Sequence, residues 1–166
     1  VPEPLPIDPI AEAGRQWEKH WGAETVPPVA AVTSLMRAHQ VVLARLNEQL
    51  EPHGLSYARY EALMLLFYSR AGELPLGKMG ERLQLHPASV TNLVDGLERL
   101  GLVARTRHPS DRRTTLARIT DEGRTVATDA TRALNGIRFG MEPVGDGDLV
   151  TLADVLHHLR AADFRL

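Results

Sequence analysis

Apolar residues recur at spacings of three and four along most of the chain. Ile10, Ala13, Trp17 and Trp21 fall roughly on one side of a short helix predicted over 10–21. Gly22 and Pro27-Pro28 end it and open a longer helical pattern, on which Val32, Met36, His39, Leu43, Leu46 and Leu50 recur until Pro52 and Gly54. Ser56 is placed to cap a third helix whose apolar face is Tyr60, Leu63, Met64 and Phe67, stopped by Gly72. A short extended piece, Leu74-Pro75-Leu76, precedes a small helix over 77–83. Its partner over 87–100 begins on Pro87 and buries a stripe of Val90, Leu93, Val94, Leu97 and Leu100.

The period changes after Gly101. Leu102-Val103-Ala104 lead into Arg105-Thr106-Arg107, and Pro109, Ser110 and Asp111 form turns. Residues 114–119 then return, giving a β-hairpin over 102–119. Thr120 caps another long helix, with Asp121 and Glu122 in its first turn and Val126, Ala130, Leu134, Ile137 and Met141 along one face. Glycines and a proline between 140 and 147 break the chain before a last helix with Leu149, Leu152, Leu156 and Leu159. Residues 1–9 hold four prolines and are expected to be an extended or disordered arm.

Two short helices joined by Gln84-Leu85-His86 and followed by a hairpin make a winged helix-turn-helix. The predicted class is mainly α. Residues 10–55 and 120–166 are expected to form a helical dimerisation region, and 56–119 the winged DNA-binding region. Gly80 would let the two short helices approach, with Leu83, Leu85, Val90 and Leu93 locking them together. A helix of this size fits the major groove of DNA, and a hairpin reaches across phosphates toward the minor groove. The exposed start of the second helix offers His86, Ser89, Thr91 and Asn92; asparagine can pair bidentately with adenine. Taken alone, such residues also read as an ordinary solvated helix face.

Charge changes that picture. The 166 residues carry a formal net charge of -2, which does not suggest a nucleic-acid binder. Yet residues 99–118 contain six arginines and one aspartate, a net of +5, leaving -7 for the rest. One basic patch on an acidic body is an electrostatic footprint for DNA. Asp111 is expected to order the wing tip by pairing with an arginine, which points Arg113 outward to the minor groove. Arg105, Arg107, Arg112 and Arg118 are placed to meet phosphates or the hairpin itself.

These segments resemble the MarR family of transcriptional regulators over about residues 28–160. The strongest part is Leu100-Gly101-Leu102-Val103, then His108-Pro109-Ser110-Asp111-Arg112-Arg113, then Leu116, Ile119-Thr120 and Gly123. Leu85, Pro87-Ala88-Ser89-Val90-Thr91 and Leu93-Val94 are similar to the family's recognition helix. The resemblance implies a homodimer with intertwined N- and C-terminal helices. It implies binding to pseudo-palindromic double-stranded DNA, often as a repressor released by a small aromatic ligand. The added N-terminal helix with Trp17 resembles a urate-responsive branch. That branch has an aspartate where this chain has Glu61 and an arginine where it has Asn92, so an effector other than urate is expected.

A family-type pocket would be lined by Trp17, Met36, His39, Tyr57, Tyr60 and Met64, an aromatic and mostly apolar set suited to an aromatic acid or a similar lipophile. Core packing is the plainer role for each of them singly. The absence of cysteine excludes disulfides, thiolate metal sites and a cysteine nucleophile. No His-Glu-x-x-His, Ser-x-x-Lys, Gly-x-Ser-x-Gly or phosphate loop occurs, so neither an enzyme nor a cofactor is expected. A zinc site built on His53, His157 and nearby carboxylates is a minor alternative. There is no apolar run long enough for a membrane helix. The opening Val-Pro-Glu-Pro lacks the basic and apolar regions of a signal peptide, and the cytoplasm is the expected location.

Overall fold

The computed structural model of the chain describes residues 6–111 and 113–161. The chain divides into two compact units, residues 1–45 and 46–166. The first holds helix α1 (Pro9–Trp21), a 3-10 turn (Ala23–Thr25) and most of helix α2 (Val26–Leu50). The Asp8 carboxylate accepts from the Ile10 N–H at 2.9 Å, and Pro9 occupies the first turn, where its missing N–H costs no hydrogen bond. Of the arm expected over 1–9, residues 1–5 lie outside the described residues and Pro9 already belongs to α1. The Trp17 indole donates to Thr25 Oγ1 at 3.0 Å, tying α1 to the turn after it. Among the described residues of this unit no side chain is buried.

The second unit contains the whole core. Helix α3 (Tyr57–Phe67) is followed by strand β1 (Glu73–Pro75), α4 (Leu76–Leu83) and α5 (Pro87–Arg99). Then come β2 (Val103–Arg107), β3 (Thr115–Ile119), α6 (Asp121–Gly136) and α7 (Asp146–Arg160). The strands form one antiparallel sheet in the order β1-β3-β2, with Leu74 opposite Ala117 and Arg105 also opposite Ala117. Leu50, Leu63, Leu66, Met79, Val90, Val94, Leu97 and Leu134 are its fully buried large side chains. This mainly helical unit with a small sheet is a winged helix-turn-helix. No helix among the described residues is long and apolar enough to cross a membrane.

Capping follows the sequence closely. Ser56 Oγ accepts from the Arg59 N–H at 3.4 Å, and Thr120 Oγ1 from the Gly123 N–H at 2.9 Å. Two details differ. The apolar periodicity predicts a helix reaching Met141, but α6 ends at Gly136, and Arg138 and Phe139 turn into left-handed backbone with φ of 49° and 52°. Leu85, expected to lock α4 to α5, is 37% exposed; its backbone N–H bonds the Gly80 carbonyl at 3.0 Å instead.

Candidate nucleic-acid interface

The approach of α4 to α5 is set by Gly80. A Cβ there would lie 3.2 Å from the Leu85 carbonyl and 3.4 Å from Val90 Cγ2. Gln84 ends α4 in left-handed backbone, φ 54°, and His86 caps α5, its Nδ1 accepting from the Ala88 N–H at 3.3 Å. The turn therefore presents the first turns of α5 to solvent. His86, Ser89, Thr91 and Asn92 are all exposed. The Thr91 hydroxyl donates to the Pro87 carbonyl at 3.1 Å, so it is engaged along its own helix, whereas Ser89 and Asn92 are exposed.

The wing turn is built by two side chains. His108 Nδ1 accepts from the backbone N–H groups of Ser110 at 3.3 Å and Asp111 at 3.2 Å. Asp111 Oδ1 accepts from the Arg113 N–H at 3.0 Å, and Oδ2 from the Thr114 hydroxyl at 2.6 Å. Those bonds, with Thr114 contributing most, hold the Asp111 carboxyl below the usual carboxylate range. Among the described residues, the partners of Asp111 at the tip are a backbone amide and a threonine hydroxyl. Arg113 stands exposed at the tip. It borders an open cleft of about 550 Å³ between the wing and the start of α4, with Lys78, Glu81 and His108 also on its walls. Arg112 lies outside the described residues.

The other wing arginines divide. Arg107 is exposed and, among the described residues, makes no ion pair. Arg118 pairs with Glu73 of β1 at 2.6 Å, fastening the third strand to the hairpin. Arg105, expected near phosphates, has its guanidinium between two carboxylates of α5: Asp95 at 2.5 Å and Glu98 at 2.6 Å. Those partners keep it firmly protonated against the opposing effect of burial. Asp95, Glu98 and Lys78 were not anticipated. Their signal is spatial, because the partners of Arg105 lie seven and ten residues away on another element.

The six pocket candidates fall in both units. Trp17 stacks obliquely near Trp21, ring centroids 6.0 Å apart, and Met36 and His39 are exposed on α2. In the second unit Tyr57 and Tyr60 lie 6.1 Å apart between ring centroids. The Tyr60 hydroxyl is 3.0 Å from Thr131 Oγ1, which also approaches the Met64 sulfur at 3.6 Å. Thr131 of α6 is thus a member of this cluster that the sequence pattern did not mark. Glu61 shares a hydrogen bond with Tyr57, but desolvation outweighs it and raises the carboxyl pKa. Tyr57 is raised too, by burial first and by the Glu61 charge second.

Residues 55–115, the helix-turn-helix and most of the wing, match the MarR family model. The chain is similar to the crystal structure of Sco5413, a MarR family transcriptional regulator from Streptomyces coelicolor, at 47% identity and TM-score 0.78. That likeness covers 83% of this chain and 96% of that one. It is similar to CouR from Rhodococcus jostii RHA1 bound to p-coumaroyl-CoA, at 33% identity and TM-score 0.64, covering 75% and 87%. Among curated proteins, the HTH-type transcriptional regulator MhqR of Bacillus subtilis is 36% identical over 89 residues, 54% of this chain. That match spans 60% of MhqR's own length.

Proposed function

The chain belongs to the MarR family of transcriptional regulators, not enzymes, and on that premise we propose that it is a cytoplasmic homodimeric repressor that binds pseudo-palindromic double-stranded DNA and is released by a small aromatic effector. The observation that carries the DNA reading is the pairing of an exposed α5 start with a wing whose tip arginine stands free in solvent. In this reading Asn92 and Ser89 meet base edges in the major groove, with His86 and Thr91 beside them. Arg113, oriented by Asp111, enters the minor groove, and Arg107 and Arg112 meet phosphates. Residues 10–55 and 120–166 pair two copies so that their α5 helices reach grooves one turn apart, ~34–36 Å.

Mobility shifts on the region upstream of the chain's own gene test this directly. Selective binding over scrambled DNA is expected, lost with Arg113→Ala. Asn92→Ala should instead relax preference at one position per half-site by ~1–3 kcal/mol. Equal binding to scrambled DNA at low salt would make the chain a helical dimeric interaction protein that keeps the fold without the activity.

The effector reading rests on the Tyr57, Tyr60 and Met64 cluster of the second unit and on the p-coumaroyl-CoA bound by CouR. A ligand acts only through a higher affinity for the form that does not bind DNA, and ~1.4 kcal/mol of that preference gives a tenfold effect. Titration with aromatic acids and their thioesters, followed by tryptophan fluorescence and DNA release, is expected to find one. Urate is expected to be silent, given Glu61 and Asn92. Silence across a broad panel would leave a constitutive regulator.

A further inference from the structure

The guanidinium of Arg105 touches three residues over two turns of α5. It reaches Asp95 at 2.5 Å, Glu98 at 2.6 Å and the Thr91 carbonyl at 3.4 Å. Glu98 closes the joint from the other side, because its second oxygen accepts the Arg105 backbone N–H at 3.2 Å. The Arg105 side chain is 25% exposed, against 46% and 41% for its two partners. A planar fork carries its donors on separate nitrogens, here Nη1 to Glu98 and Nη2 to Asp95 and the Thr91 carbonyl, whereas an ammonium carries all of its donors on one.

We propose that Arg105 is a positioning residue that clamps the first strand of the wing to the recognition helix, and not one of the arginines that contact DNA. The proposal rests on the DNA-binding reading above. Its physical content has two parts. The clamp fixes the angle between the two elements that must enter neighbouring grooves together. It also answers two acidic side chains on the reading helix, which would otherwise face phosphates with their charge unscreened. Since both carboxylates are well exposed, the pairs add little to global stability, and their effect lies in orientation.

Three variants of the full chain, Arg105→Lys, Arg105→Gln and Glu98→Gln, separate this from a phosphate contact. A clamp predicts that Lys fails to replace Arg and that selectivity over scrambled DNA falls ~10-fold in each variant. It predicts that the losses in Arg105→Gln and Glu98→Gln do not add when combined, as for residues in one network. The dependence of affinity on salt should keep its slope. A phosphate contact predicts the reverse: near-normal binding by Arg105→Lys, and a slope reduced by ~0.9 per half-site in Arg105→Gln. That result, or wild-type selectivity in Glu98→Gln, would overturn the proposal. Hydrogen exchange without DNA reads the joint itself. The Arg105 amide should exchange faster in Glu98→Gln, and an unchanged rate also overturns the clamp. Failure of the wild-type chain to select any DNA would count against the DNA reading instead, and the exchange result would still decide the joint.

Discussion

Asp111 is a fully solvated side chain whose work is local. Its two oxygens take one backbone N–H and one hydroxyl that the tight turn leaves without a strand partner, and His108 does the same for two further amides. Asp111→Ala is expected to speed exchange of the Arg113 amide on the order of 3- to 10-fold, while the β2 and β3 ladder amides stay protected. DNA affinity should fall with it, because the Arg113 side chain loses its fixed base. The pH dependence has a definite sign. The Asp111 carboxyl titrates lower in the folded turn than in the open chain, so its contribution is complete above the ordinary carboxylate value of ~4. It is lost as pH falls through the lower folded value. Amide exchange in the turn, corrected for intrinsic rates, should therefore be flat at neutral pH and rise only in strong acid. A rise already near neutral pH would contradict the role given to the Asp111 carboxylate.

At the scale of elements, the strongest steric constraint is where α6 starts against the strand before it. A Cβ on Gly123 would overlap the Leu102 carbonyl oxygen, which already accepts the Thr120 N–H at 3.0 Å, and would press Ile119. Gly136, at the other end of the same helix, has open space around it. The same substitution should thus have opposite signs: Gly123→Ala destabilising by ~1–3 kcal/mol, Gly136→Ala neutral to stabilising by up to ~1 kcal/mol. Urea midpoints measure both, and equal effects would contradict the packing described. Gly123 was legible in the sequence as part of a motif; its reason was not, since the overlapping atom belongs to Leu102, in the turn before β2. Helix starts were legible because Ser56, Thr120 and Pro87 act on their nearest neighbours. The end of α6 was not, because Ile137 and Met141 continue the apolar period past the point where Arg138 and Phe139 leave the helical backbone. The partners of Arg105 were illegible for the same reason: composition marks an arginine as basic, and only the fold shows Asp95 and Glu98 beside it.

At the scale of the molecule, the apolar surface has an uneven distribution that one copy does not account for. Val32, Met36 and Trp21 of the first unit are 54%, 57% and 65% exposed. On α7, Leu152, Val155 and Leu159 form a stripe at spacings of three and four and are 39%, 60% and 64% exposed, and no α7 residue is buried. Scattered exposed apolar residues need no partner, but a helical stripe of this kind is the surface that the proposed pairing of two copies would cover. Covering a valine or leucine is worth ~1.5–3 kcal/mol, and symmetry doubles every residue covered. Two carboxylates in the stripe should therefore cost more than an ordinary interface can supply. Val155→Asp with Leu159→Asp is expected to give a folded chain that sediments as a monomer at concentrations where the parent is a dimer. Its affinity for a full pseudo-palindromic site should fall by ~10²–10⁴, the gain that linking two half-site readers provides, while contact with a single half-site is retained. The double variant leaves α5 and the wing untouched, so circular dichroism and half-site binding serve as controls. A parent chain that sediments as a monomer at tens of micromolar, or a double variant that stays dimeric, would show that this stripe is not where the copies meet.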